Sequence, residues 1–500
     1  MSILEQLEEL RSYGGPAVTT GLSDETLVKF AATHPELPAA VTDALEQHRA
    51  LRSEFDHVLR MDETHQIEQV QEGLINFYAS DAVNPYVALA ARGPWIVTTK
   101  GAVIHDSGGY GMLGFGHAPE PMLEVMCQNH VMANVMTASF SQMRLIDALK
   151  SEIGHRRGDQ PFTQFLFLNS GSESVTVAAR LSDVNAKIRT DPGGTHEGRE
   201  IRVMSLRGGF HGRTDRPAQF SDSSLRGYAK HLASFRDRDN LITVEPNNIE
   251  ALEQAFADAR DNGQFIESFF MEPVMGEGNP GQAITPEFYQ AARRLTREHG
   301  GLLMVDSIQA GLRAHGCLSV VDYPGFEKLD PPDMETFSKA LNAGQYPLSV
   351  LAMTDETAQL YRAGIYGNTM TSNPRAMDVA MEVLESVTDE VRQNIRDRGV
   401  EFLQKLGALA DELDGEITKV QGTGLLFSCE LADCFKAYGR GSLEEYMRLR
   451  GVGVIHGGEN SLRYTPHFRI TTEEVDLIIR ATREAVLHGP RREEPLAKAG

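Results

Sequence analysis

The chain has 500 residues, 41% hydrophobic and 24% charged, an ordinary balance for a globular protein with room for roughly two to four domains. Its formal net charge of −22 argues against nucleic acid, which rewards clustered Lys and Arg, and no block of like charge points at a partner. Four cysteines without a paired pattern or nearby histidines argue against a disulfide framework and zinc, and no apolar run reaches the ~20 residues of a membrane span.

Residues 1–75 read as a helical N-terminal extension. Ile3, Leu7 and Leu10 form one stripe, Ser23 is placed to cap the segment SDETLVKF, and Leu45, Leu51, Phe55, Val58 and Leu59 continue the helical spacing. The extension is expected to pack on the body or on a second subunit, and nothing in it suggests chemistry. The opening MSILEQLEELRSYGG carries acidic residues where a signal peptide needs basic ones, so with reduced cysteines a cytoplasmic location is expected.

From about residue 80 onward, short apolar runs alternate with helical patterns. Strands are expected at FLFL (165–168), IRVMSL (201–206), SFFM (268–271), LLMV (302–305) and LSVLAM (348–353). Helices are expected at ESVTVAARLSDVNAK and at PEFYQAARRLTREHG, the latter with Pro286 in its first turn and Gly300 at its end. Apolar strands separated by helices predict an α/β fold with a mostly parallel sheet covered on both faces. The last 120 or so residues return to long helices, with strands such as GTGLLFSCEL, as a smaller α/β domain would.

Ligands in such a sheet gather at the carboxyl ends of the strands, where several polar signals fall. GGYGMLG after VIHDS is a formal G-x-G-x-x-G, but no acidic residue follows about 20 positions later, which argues against a nicotinamide cofactor. FLFLNSGSES ends a strand and supplies Ser170, Gly171 and Ser172 before a helix, either as a phosphate cradle or as an ordinary strand–helix turn. GGFHGRT and SLRYTPHFRIT offer Arg213 and Arg463, either to grip a carboxylate or as surface ion-pair partners. FFMEPVMGEG contributes Glu272 and Glu277. In LLMVDSIQAG, Asp306 follows four apolar residues, where a carboxylate needs a facing cation or donor unless it caps a helix. ETFSKALNAGQYPLS holds Lys339 among small residues, as an amine meant to be reached and used. A lysine, a buried carboxylate and a phosphate turn together fit pyridoxal 5'-phosphate, which offers an aldehyde, a ring nitrogen and a phosphate.

NSGSES, GGFHGRT, MEPVMGEG, VDSIQAG, PPDMETFSKAL, GQYPLS, GNTMTSNP and LRYTP occur in this order. In that series the chain resembles the class III aminotransferases of the ornithine, 4-aminobutyrate and lysine ε types, over roughly residues 80 to 490. The resemblance implies the fold type I architecture of aspartate aminotransferase. Its expected domains are the extension 1–75, a first part of the small domain 76–128, a large cofactor domain 129–372 and a C-terminal small domain 373–500. It implies that Lys339 forms the Schiff base and serves as the base of the proton shift, with Asp306 at the pyridine nitrogen and Gln309 near the ring hydroxyl. Ser170, Gly171 and Ser172 would form the phosphate turn, Phe210 would stack on the ring, and His211 would join the cofactor contacts. Thr369 would reach the phosphate of the other subunit, which implies a homodimer and leaves tetramers open.

Tyr110, Arg213 and the Glu277–Arg463 pair are implied as substrate residues, the glutamate masking or freeing the arginine. One departure is Ser307, where the family has glutamate in Asp-Glu-x-Gln. The expected reaction is ping-pong transamination from an ω-amine donor such as lysine, ornithine or 4-aminobutyrate to a keto acid, 2-oxoglutarate first among them. An aminomutase on the same site, or a non-catalytic scaffold using the extension, are the alternatives.

Overall fold

The structure is a computed structural model that describes residues 1–79 and 82–492. It divides into two compact units: residues 1–120, 397–421 and the stretch from 427 onward form one, and residues 121–396 with 422–426 form the other.

In the first unit, helices Ile3–Arg11, Asp24–Ala31, Glu36–Leu59 and Glu63–Val70 precede strands β1 (Ala88–Arg92), β2 (Trp95–Thr98) and β3 (Val103–Asp106). Ser23 accepts the Thr26 N–H, as its position before SDETLVKF predicts. Trp95 on β2 is fully buried, its ring 5.1 Å from Phe30 of the second helix and 5.1 Å from His105 of β3. Lys100 Nζ donates to the Leu59 and Met61 carbonyls at 3.1 and 2.6 Å, satisfying acceptors at the end of the long helix. The N-terminal helices therefore share one core with the β1–β3 sheet. The glycine-rich stretch after β3 opens no helix and runs as turns to His117, so the dinucleotide pattern is not realised.

The second unit is built on β4 (Gln164–Leu168), β5 (Glu200–Leu206), β6 (Leu241–Val244), β7 (Gln264–Met271), β8 (Leu302–Asp306), β9 (Met334–Phe337) and β10 (Ser349–Met353). Their order in the sheet is β4-β10-β9-β8-β7-β5-β6. β10 runs antiparallel to both its neighbours, while β6, β5, β7, β8 and β9 are parallel. β4 thus points the same way as β9, and six strands bring their carboxyl ends to one edge. β7, β8 and β10 are buried almost throughout, because helices such as Gly171–Thr190, Ile249–Asp261 and Pro286–His299 cover the sheet. The last of these starts under a Thr285 cap with proline in its first turn, and stops at Gly300 with φ 80°. The five expected strands are all present, and β6 and β9 are additional.

Helices Pro374–Ser386 and Asp389–Glu412 lead to β11 (Ile417–Thr423), β12 (Leu426–Leu431), β13 (Val452–Gly453), β14 (Ile455–Gly457) and β15 (Ser461–Tyr464). A second sheet has the order β11-β12-β15-β14, and β13 joins β3 in parallel. GTGLLFSCEL is not one strand, as its apolar run suggested, but the corner between β11 and β12. Gly424 makes that corner at φ 56°, and a Cβ there would lie 1.9 Å from the Ala314 carbonyl.

Candidate active site

Lys339 sits just past the carboxyl end of β9, opening a short 3-10 turn through Asn342. Its φ of 46° is a left-handed conformation that a non-glycine residue adopts only under tertiary constraint. Nζ donates to Gln309 Oε1 at 3.1 Å. The two residues come from neighbouring strand ends, since β8 and β9 pair with Asp306 opposite Thr336.

Asp306 closes β8 and is buried. Its Oδ2 lies 2.8 Å from Nδ1 of the buried His211, and its Oδ1 accepts the Ile308 N–H at 3.2 Å. The His211 backbone N–H donates to Ser221 Oγ at 2.9 Å, and that hydroxyl in turn donates to the Gly212 carbonyl, which pins the loop after β5. Glu272, past the end of β7, accepts the Phe210 N–H at 3.0 Å and the Gly276 N–H at 2.8 Å. Burial pushes its carboxyl up to about 7, against the opposing pull of His211. One buried carboxylate thereby joins the loop carrying Phe210 and His211 to the loop carrying Glu277.

Ser170 caps helix Gly171–Thr190 and accepts the Glu173 N–H at 3.3 Å. Gly171 and Ser172 follow as the first two helical residues, whose N–H groups have no acceptor one turn back within the helix. A Cβ at Gly171 would lie 2.5 Å from Ile308 Cδ1, so the glycine packs directly against the Ile308 side chain of the β8 loop, which a larger residue would displace. Gly212 approaches from the other side at φ 110°, its Cβ position 2.4 Å from Ser172 Oγ. Thr369 is exposed on the loop that follows Tyr366.

The guanidinium of the exposed Arg213 lies 5.3 Å from the centre of the Phe210 ring. Glu277 is half-buried in the same unit. Arg463 and Tyr110 belong to the other unit, where the fully buried Arg463 on β15 has its guanidinium 5.6 Å from the Tyr110 ring. Tyr110 itself has a φ of 53°.

The Ser307 departure has a counterpart on the next strand. Ser307 Oγ donates to Glu335 Oε1 at 2.6 Å, and Glu335 also accepts from the Ser319 hydroxyl and the Val320 N–H. Glu335 is completely buried on β9, and burial lifts its carboxyl to about 7 despite these donors. Sequence reasoning missed Glu335 and Glu173. The first lies in a four-residue strand too short and too polar to register, and the second reads as a routine first-turn acid.

These groups suit pyridoxal phosphate on the structure's own terms. Asp306 offers a buried negative charge to a protonated ring nitrogen, and the Ser170–Ser172 turn offers N–H groups and hydroxyls to a phosphate. Gln309 Nε2 and His211 Nε2 are buried without a partner among the described residues, leaving a donor and a ring nitrogen for a further polar group.

Comparison with known proteins supplies the family. A family description, aminotransferase class-III, matches residues 77–486. An acetylornithine aminotransferase of Neisseria meningitidis serogroup B is 28% identical over 402 residues, covering 79% of this chain and 92% of that protein. Ornithine aminotransferase 2 of Staphylococcus aureus (strain Mu50 / ATCC 700699) is 26% identical over 404 residues, covering 80% and 93%. The crystal structure of the ornithine aminotransferase from Toxoplasma gondii ME49 superposes with a TM-score of 0.72 at 21% identity, over 87% of this chain and 98% of that one, a likeness of fold.

Proposed function

The chain belongs to the class III aminotransferases, pyridoxal-phosphate enzymes of fold type I, and from that premise we propose that it moves the terminal amino group of an ornithine-like amino acid to 2-oxoglutarate by a ping-pong route. The observation that carries the residue assignment is that Lys339, Gln309 and Asp306 come from two adjacent strand ends, with Gln309 on Lys339 and with His211, from the loop after β5, on Asp306. Ornithine and acetylornithine, the substrates named for relatives, fit a site with a carboxylate-binding arginine and lead the choice of donor.

Bound pyridoxal phosphate supplies an aldehyde for the donor's amine and a ring that takes up the electron pair left when the neighbouring C–H bond breaks. Asp306 would keep the ring nitrogen protonated, its own orientation fixed by His211 Nδ1 and the Ile308 N–H. Gln309 would hold Lys339 Nζ through Oε1 and donate to the ring oxygen through Nε2. Lys339 Nζ would take the proton from the donor carbon and give it back two bonds away, on the far side of the nitrogen, so that one amine serves as base and then as acid. Phe210 would cover the ring and Arg213 would hold the substrate carboxylate.

A homodimer belongs to the same proposal. Val131, Met132, Met136, Phe140 and Met143, and Met370 on the loop of Thr369, leave large apolar side chains exposed in the second unit, and a second copy would cover them. Thr369 would then reach the partner's phosphate. The four free cysteines fit a reducing cytoplasm.

The test is a half-reaction screen without keto acid. Holoenzyme mixed with ornithine, acetylornithine, lysine or 4-aminobutyrate should lose its cofactor absorbance band with the true donor and regain it on addition of 2-oxoglutarate. No response to any of them, or sustained turnover with no keto acid present, would contradict the proposal.

A further inference from the structure

Glu173 lies in the first turn of helix Gly171–Thr190, within the turn assigned above to the cofactor phosphate. A carboxylate there repels a phosphate dianion, so a direct binding role has the wrong sign. Its hydrogen bonds give it another task. Oε2 accepts the Asn169 N–H at 2.6 Å, at the end of β4. Oε1 accepts the Tyr366 hydroxyl and, at 2.5 Å, the Asn368 side-chain amide. Burial would raise its pKa, but the Tyr366, Asn169 and Asn368 donors outweigh burial and hold it low, so the group is a carboxylate at neutral pH.

Asn368 is itself the hinge of a small turn. Its Oδ1 accepts the Met370 N–H at 2.9 Å and its carbonyl accepts the Thr371 hydroxyl at 2.8 Å, which closes the chain around Thr369. Seven positions along the same helix, and so on the same face, Arg180 donates to the Ile365 carbonyl and lies 5.9 Å from the centre of the Tyr366 ring. The loop is thus fastened to one face of the phosphate-turn helix at two points, and Glu173 is the point nearer to Thr369.

We propose that Glu173 is a positioning residue: it ties the phosphate turn of its own subunit to the loop that carries Thr369 toward the phosphate in the partner's site. This rests on the reading of Thr369 and of the Ser170–Ser172 turn given above. Both ends of the tie act on a phosphate and neither acts on the ring.

The experiment compares binding of pyridoxal 5'-phosphate with that of pyridoxal, which lacks the phosphate, to the apo forms of wild type, Glu173→Gln, Asn368→Ala and Thr369→Ala. Glu173→Gln should weaken pyridoxal 5'-phosphate about tenfold and leave pyridoxal within about twofold of wild type. Asn368→Ala should do the same, and adding Glu173→Gln to it should cause little further loss. Tighter or unchanged binding of the phosphate form by Glu173→Gln, or an equal loss for both ligands, overturns the proposal. If that happens while Thr369→Ala still weakens only the phosphate form, the assignment of Thr369 survives. If Thr369→Ala changes nothing, that assignment falls and the proposal with it.

Discussion

His211 Nδ1 and Asp306 Oδ2 are 2.8 Å apart, with both side chains buried beneath the strand ends. The carboxylate accepts from the imidazole and from the Ile308 N–H, and these two donors fix its orientation. Asp306→Asn should lower kcat by about a hundredfold or more and let the cofactor dialyse away, because the charge opposite the ring nitrogen is lost. His211→Phe keeps the charge and loses only its support, so its kcat should fall less, by about tenfold. Steady-state rates at saturating cofactor, with absorbance before and after dialysis, check both. An equal loss in the two variants would mean that His211 does more than orient the carboxylate.

Glu335 carries a pH signature. Its carboxyl rises from the ordinary 4.5 to about 7 on folding, so the folded chain holds this proton more tightly than the unfolded chain. The stability it confers is present below about pH 4.5 and is lost as pH rises to about 7 and above. Glu335→Gln has no such proton to lose. Its Tm relative to wild type should therefore grow between about pH 5 and about pH 8, as read by thermal melts across that range. A constant difference would show that Glu335 does not titrate there.

Gly212 has a φ of 110° and its Cβ position falls 2.4 Å from Ser172 Oγ and 3.2 Å from Pro217 Cβ. Gly212→Ala should lower stability by about 1–3 kcal/mol and weaken cofactor binding about tenfold, since the added methyl pushes into the phosphate turn. Denaturant unfolding and cofactor titration check the two effects.

The N-terminal helices are part of the first unit's core, not an ornament on it. Phe30 is buried and its ring lies 5.1 Å from Trp95. Phe30→Ala should destabilise by about 3–5 kcal/mol, measured by denaturant unfolding, through lost burial and the cavity left behind. A much smaller loss would mean that the second helix can leave without disturbing β2.

Much of this is legible in the sequence. β4, β5, β7, β8 and β10 are runs of large apolar residues because both faces of the sheet are covered, and such runs stand out in a sequence. The direction of β10 was not legible, since a doubly buried strand reads the same parallel or antiparallel. β9 was hidden because Met334–Phe337 interleaves Glu335 and Thr336, which look like solvent-facing residues and are buried through hydrogen bonds. Lys339 and Asp306 stand out by their small or apolar neighbours at strand ends, whereas Gln309 follows only from the family resemblance. Glu173 does not stand out, because its partners Tyr366 and Asn368 lie almost 200 residues away, and no local pattern announces a contact at that separation.

The central claim is that Lys339 carries the cofactor. The direct measurement is borohydride reduction of the holoenzyme, which fixes the cofactor to the amine that bears it, followed by proteolysis and mass mapping. The account predicts one phosphopyridoxyl-bearing peptide, with the modification on Lys339 and none on Lys100 or any other lysine. A modified lysine elsewhere, or an unmodified Lys339 in protein that had bound cofactor, would contradict it.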